Sequence, residues 1–145
     1  MQNKVVNADR YDVALSYASE QRIYVEAVYF HITSKGLSAY YDQVHQSELW
    51  GTNLREYLRQ IFYFRSKWCI MFISNEYVAK MWPNFEREII VSRQSAEGEY
   101  LLPVRFDDSI VPGLDPDLGY RNANKVTPKE LADLFEETFF KRLKI

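Results

Sequence analysis

Trp68-Cys69-Ile70-Met71-Phe72-Ile73, then Ser74-Asn75-Glu76-Tyr77, then Trp82-Pro83-Asn84-Phe85-Glu86: this stretch decides how the chain reads. Its apolar run has no polar alternation, which marks a strand covered on both faces, as in a parallel sheet with helices above and below. The run is therefore expected at the centre of the sheet. Pro83 suits the first position of a helix, so a helix is expected to begin there and run towards Gln94, with Gly98 just beyond it. That start sets Glu86 at the end of the first turn, where the positive end of the helix dipole favours an ionised carboxylate. Trp82 and Glu86 are four residues apart and share a helical face if both lie within the helix.

Outward from this stretch, strands and helices alternate. Tyr11 to Tyr17 is a short apolar run ending at Ala18-Ser19, where Ser19 can cap a helix over 20–35 that Gly36 closes. Leu37 to Tyr41 reads as a second strand ending at Asp42. A polar stretch then leads to Thr52, after which Leu54, Tyr57, Leu58, Ile61 and Phe62 recur at helical spacing. Tyr100 to Phe106 is a fourth strand, whose Pro103 fits an edge or a bulge better than the middle of a ladder. Any strand within the Pro- and Gly-containing loop from Asp107 to Asn124 must be short. Thr127-Pro128-Lys129-Glu130 carries a capping box with proline at the first helical position, and Leu131, Leu134, Phe135, Thr138 and Phe139 follow on the core face. The pattern predicts a doubly wound α/β sheet with functional groups at the carboxyl ends of the strands.

The bulk numbers agree with one such domain. A chain of 145 residues can bury about two-thirds of the surface its unfolded form exposes, so one core and no linker are expected. The net charge of -2 provides no basic field for nucleic acid. Cys69 is the single cysteine and sits inside the apolar run, which excludes an intrachain disulfide and suits a packed thiol in a reducing cytoplasm. The amino terminus lacks the apolar core of a signal peptide, and no run reaches the length of a membrane span. The amphipathic pattern runs to Lys144-Ile145 without a helix stop, as expected of a domain cut from a longer chain.

Several chemistries find nothing to work with. There is no P-loop and no Gly-x-Gly-x-x-Gly to cradle nucleotide phosphates. His31 and His45 are the only histidines, so a zinc site or a Cys-His pair is not expected. Asp12, Asp42 and Asp107/Asp108 lie near strand ends, but Asp12 precedes its strand, contrary to a phosphate-receiver site. The pair Trp82 and Glu86 suits cleavage of an N-glycosidic bond to a pyridinium. Positive charge develops on the ribose, where one carboxylate can stabilise it, and the ring departs neutral without an acid. On spacing alone, a core tryptophan and a solvated first-turn charge explain the pair better. Trp50 reads as a partner contact or as a side chain packed under its own loop, and Tyr17 as a crevice residue or a cover for the sheet.

Taken together, Tyr11 to Ala18, the Tyr41-Asp42 strand end with its long loop to Gly51, Ile73 to Tyr77, Trp82-x-x-x-Glu86 and Leu102 to Arg105 resemble a TIR domain, the Toll/interleukin-1 receptor fold. The resemblance covers about 11–143 with every segment in order. It implies a flavodoxin-like parallel sheet of about five strands flanked by helices, in a single domain over 1–145. In members of this family that act on NAD+, the carboxylate after the tryptophan is catalytic, and it matches Glu86. By the same resemblance Trp82 lines the nicotinamide pocket, with Ser16, Tyr17 and Asp42 near the substrate. The loop from Gln43 to Gly51, with His45, Leu49, Trp50 and Gly51, matches the family's assembly loop.

Two positions depart from the family pattern. Pro83 follows the tryptophan where cysteine is common, and Lys80 stands where a serine is frequent; both look more like bacterial members. The resemblance implies NAD+ as substrate with no cofactor or metal, self-association between TIR domains, and an attached sensor or separate effector domain, in the cytoplasm and in anti-phage defence. A scaffold acting only through homotypic assembly is the reading from another class.

Overall fold

A computed structural model describes residues 10–41 and 50–143, the side chains of 81–84 excepted. The strands are β1 (Tyr11–Ser16), β2 (Ala39–Tyr40), β3 (Ser66–Ile73), β4 (Leu101–Arg105) and β5 (Arg121–Asn122). The helices are α1 (Arg22–Ser34), α2 (Leu54–Arg59), α3 (Asn75–Ala79), α4 (Met81–Glu97) and α5 (Pro128–Lys141). All strand pairs are parallel, in the order β2-β1-β3-β4-β5. This is the flavodoxin-like doubly wound sheet expected from the sequence, with β3 in the middle.

The period-two alternation of β1 and β3 sorts the core into two layers. Val13, Leu15 and Tyr17 join Trp68, Ile70 and Phe72 under α1 and α5, against Val25, Val28, Ile32, Leu131, Phe135 and Phe139. Ala14, Cys69, Met71 and Ile73 face the other way, towards Leu58, Ile61, Phe62, Tyr77 and Ile90 of the α2, α3 and α4 side. Each large apolar side chain fully buried here contributes roughly 1.5–3 kcal/mol. Both faces of β3 are thus committed, which is why its sequence does not alternate.

Several boundaries differ from the expectation, each for a local reason. Ser74 caps α3 through its hydroxyl, which accepts from Tyr77 N at 3.0 Å. Lys80 is extended, and α4 begins at Met81, two residues before Pro83. Proline is tolerated there because its missing N–H is still among the first four, which find no partner inside a helix. Ser19 does not cap the first helix: it opens a short 3-10 turn over Ser19–Gln21, and α1 starts at Arg22. The second strand shrinks to Ala39–Tyr40. The α2 segment is capped by the Asn53 side chain and widens into a π turn over Gln60–Phe64, where Arg65 N bonds Gln60 O at 2.8 Å.

Other expectations hold. Gly36, at φ 84°, follows α1 and donates to Thr33 O, relieving a terminal carbonyl. Gly98 ends α4 in the left-handed region, and Thr127 with Glu130 forms the capping box of α5. Pro103 pairs with Met71 in register. Phe106 N bonds Ile73 O, so by alternation the N–H that Pro103 lacks would point away from β3. On that side β5 pairs only from Val104 onward.

The segment before α5 is pinned to α1 by Tyr24, whose hydroxyl donates to Val126 O at 2.8 Å. Burial, then the Glu130 charge, pushes this phenol up to about 12. A phenol raised in the folded state stabilises it fully below the unfolded value near 10, and that contribution disappears as pH rises through the folded value. Tyr24→Phe is expected to cost about 1 kcal/mol in urea unfolding at neutral pH. The variant should also lose less stability than wild type between the unfolded and folded values, as the same unfolding curves repeated at alkaline pH will show.

Candidate active site

The strand order reverses between β1 and β3, and the crevice outside their carboxyl ends is where a doubly wound sheet places its ligand site. Ser16 ends β1, and its alternation sends the side chain into the α4 layer. There the Ser16 hydroxyl donates to Glu86 Oε2 at 2.9 Å and lies 2.6 Å from the Tyr77 hydroxyl. All three residues are buried, Glu86 to 4% exposure. Tyr77 is brought there by α3, whose start Ser74 fixes directly at the end of β3.

Glu86 is the sixth residue of α4, not the fourth residue of a helix begun at Pro83. The helix dipole acts mainly within the first turn, so it contributes less to this carboxylate than the sequence suggested. The carboxylate instead accepts a hydrogen bond from the neighbouring strand, through Ser16.

Side chains stitch the segment after β1 to the segment after β3. Ser74 Oγ donates to Gln21 Oε1 at 2.9 Å, and Gln21 Nε2 reaches Glu76 Oε1 at 3.5 Å. Lys80 Nζ bonds Glu20 Oε1 at 2.6 Å and Ser19 Oγ at 3.2 Å. The Lys80 hydrogen bond is the main reason the Glu20 carboxyl titrates below its ordinary value. Asp107, beyond β4, accepts from Asn75 N at 2.8 Å and from Ser109 N at 3.0 Å. Burial raises its carboxyl, but these bonds outweigh that and hold it below its ordinary value.

Of the residues expected at the site, Ser16 and Glu86 meet. Trp82 lies in α4 four residues before Glu86, its side chain outside the description. Tyr17 points to the opposite layer from Ser16, buried and stacked on Tyr41 with centroids 5.6 Å apart. Trp50 is 92% exposed and Gly51 has φ 81°. Asp42, His45 and Leu49 lie outside the described residues. Asp12 sits at the start of β1, bonded to Ser38 N, far from the carboxyl ends. Tyr77 escaped the sequence reading because an aromatic three residues after a serine cap reads as core; only its hydroxyl hints at more. Among the described residues no cluster of His, Cys, Asp or Glu could hold a metal. A cavity of about 320 Å³, lined among others by Leu102, Val104, Arg121, Leu131 and Phe135, lies along β4, β5 and α5 and includes none of the site residues.

The family model described as the TIR domain matches residues 13–143. The chain belongs to the TIR domain family. Among curated proteins, this TIR domain is 44% identical over 138 residues to the 3' cyclic ADP-D-ribose synthase AaTIR of Aquimarina amphilecti, covering 90% of this chain and 42% of that protein. The chain thus spans less than half the length of this relative. Among solved structures, the TIR domain of the Toll-related receptor TRR-2 from Hydra magnipapillata superposes with a TM-score of 0.67 at 17% identity, over 90% of this chain and 96% of that one. The TIR domains of the activated Roq1 resistosome superpose with a TM-score of 0.58 at 19% identity, over 91% of this chain and 74% of that one. Both likenesses concern the fold.

Cys69, in β3, is fully buried, its thiol pushed well above the ordinary value by burial and then by the Glu86 charge. It is expected to resist Ellman's reagent in the folded protein at pH about 8, where an exposed thiol reacts. Unfolding in guanidinium should release one reactive thiol per chain; prompt labelling of the native protein would contradict the buried placement.

Proposed function

We propose that this TIR domain cleaves NAD+ at the bond between nicotinamide and ribose, with Glu86 as the catalytic carboxylate. The observation that carries the reading is a carboxylate held out of water at the carboxyl ends of β1 and β3, with its hydrogen bond supplied by Ser16. Burying a charge costs several kcal/mol unless it is compensated, and a surface used only for assembly has no need of one. The 44% identity to a 3' cyclic ADP-D-ribose synthase supports the same reading.

In the reaction the bond from the ribose C1′ to the pyridinium nitrogen breaks, and its electron pair leaves with nicotinamide as a neutral ring. Positive charge spreads over C1′ and the ring oxygen, where the Glu86 carboxylate stabilises it. An oxygen then bonds C1′ and releases its proton to solvent, which balances the charge lost when the cationic ring departs neutral. If that oxygen belongs to water the product is ADP-ribose; if it is a hydroxyl of the same nucleotide the product is cyclic, and the relative's name favours this outcome. Trp82 and Asp42 complete the substrate contacts in this reading, while Tyr17, buried against Tyr41 on the other face of the sheet, supports the strand that carries Ser16. The loop with His45, Leu49, the exposed Trp50 and Gly51 serves self-association, and an attached sensor or separate effector places the domain in cytoplasmic anti-phage defence.

Incubated with NAD+ at high protein concentration, the domain should release nicotinamide, and Glu86→Ala should reduce the rate by at least about 100-fold, the usual cost of removing a main electrostatic stabiliser. Equal release from both proteins would refute the assignment; mass spectrometry of the second product separates linear from cyclic ADP-ribose. Trp50→Ala should lower turnover per chain most at dilute protein, with a matching loss of self-association in analytical ultracentrifugation.

A further inference from the structure

The hydroxyl of Ser16 has one proton, and an ionised carboxylate can only accept. With that proton given to Glu86 Oε2 at 2.9 Å, the 2.6 Å contact between Ser16 Oγ and the Tyr77 hydroxyl can have only one direction: Tyr77 donates. We propose that Tyr77 and Ser16 are positioning residues for catalysis, a one-way hydrogen-bond chain from Tyr77 through Ser16 that keeps the Glu86 carboxylate ionised and fixed in aim. The proposal rests on the reading of Glu86 as the carboxylate that faces the ribose, and it moves Ser16 from the substrate to the support of that carboxylate.

Burial makes the chain consequential. Ser16 and Tyr77 are 0% exposed. Among the described residues, the Tyr77 hydroxyl has Ser16 Oγ as its hydrogen-bond partner. A proton on Glu86 Oε2 would reverse the chain, because the carboxyl would donate to Ser16 and Ser16 to Tyr77, taking from the phenol the acceptor it has in Ser16 Oγ; a proton on Oε1 would leave the chain in place but ending on a neutral acceptor, which holds a hydrogen bond less strongly than a carboxylate. Either way the chain is weaker around the neutral acid, so it favours the ionised form of Glu86.

The ionisable groups around Glu86 come from β3, from α3 and from its own helix. Cys69 faces it from β3 as a neutral thiol. Arg87 and Arg93 lie on its own helix and donate elsewhere, Arg87 to Val78 O and Arg93 to Phe62 O and Ser66 O. Tyr77 is held un-ionised by burial first and by the Glu86 charge second, which keeps it a donor.

The test compares wild type, Tyr77→Phe and Ser16→Ala by two readouts. The first follows the Glu86 side-chain carbon by 13C NMR as pH is lowered, assigned by its absence in Glu86→Gln, and needs no turnover. Its midpoint should move to higher pH in Tyr77→Phe and further in Ser16→Ala. The second is the pH profile of NAD+ cleavage: kcat of Tyr77→Phe should fall about ten-fold near neutrality, with the acid limb displaced to higher pH and KM within about two-fold of wild type. An unmoved Glu86 titration and acid limb in Tyr77→Phe, with only thermal stability lowered, would overturn the chain; should that variant fail to fold, Ser16→Ala decides by the same measure. If wild type releases no nicotinamide, the cleavage reading fails, while the carbon titration still decides whether the chain controls Glu86.

Discussion

The commitment of both faces of β3 to apolar layers is the constraint on which the rest of the molecule depends. A strand with no solvated side must be flanked by strands on each edge and helices on each face, and Trp68 to Ile73 can be satisfied in no simpler arrangement. The same constraint makes the site possible. Where β3 emerges from the two layers its chain must turn at once, and Ser74 begins α3 there, setting Tyr77 against the end of β1. A polar group at Ser16 is tolerable at full burial only because partners are delivered to it from that turn and from α4.

Much of this was legible in the chain because it is written in periodicity and in caps. The unalternated run announces the central strand, and Thr127 with Glu130 announces α5. Pro103 announces a place where one side of β4 carries no partner. What was not legible depends on contacts between residues far apart in sequence. Pro83 reads as a first helical position in isolation, yet the extended Lys80 lets α4 start earlier, and Glu86 moves from the first turn into the second. Ser19 reads as a cap, but it is engaged by Lys80 from across the crevice. Alternation alone would have placed Ser16 and Tyr17 on opposite faces; the resemblance grouped them, and the structure separates them.

The surroundings of the Glu86 carboxylate therefore come less from its own helix than from a neighbouring strand and the short helix between. Its surroundings divide the labour. Ser16 and Tyr77 are neutral and fully buried, and Ser74 beside them is buried too, whereas the Glu20–Lys80 pair lies nearer the surface. A partly exposed ion pair of this kind contributes little stability and is screened by salt, so it can yield without disturbing the layer beneath.

The short fifth strand leaves the first residues of β4 facing outward, and such an edge ordinarily invites a strand from another molecule. Here that invitation is withdrawn. Leu101 gives its outward N–H to the Gln94 side chain at 2.9 Å, and Pro103 has none to give. An intruding strand meets no free donor along this part of the edge, so the sheet can end in a short strand without templating fibrillar growth.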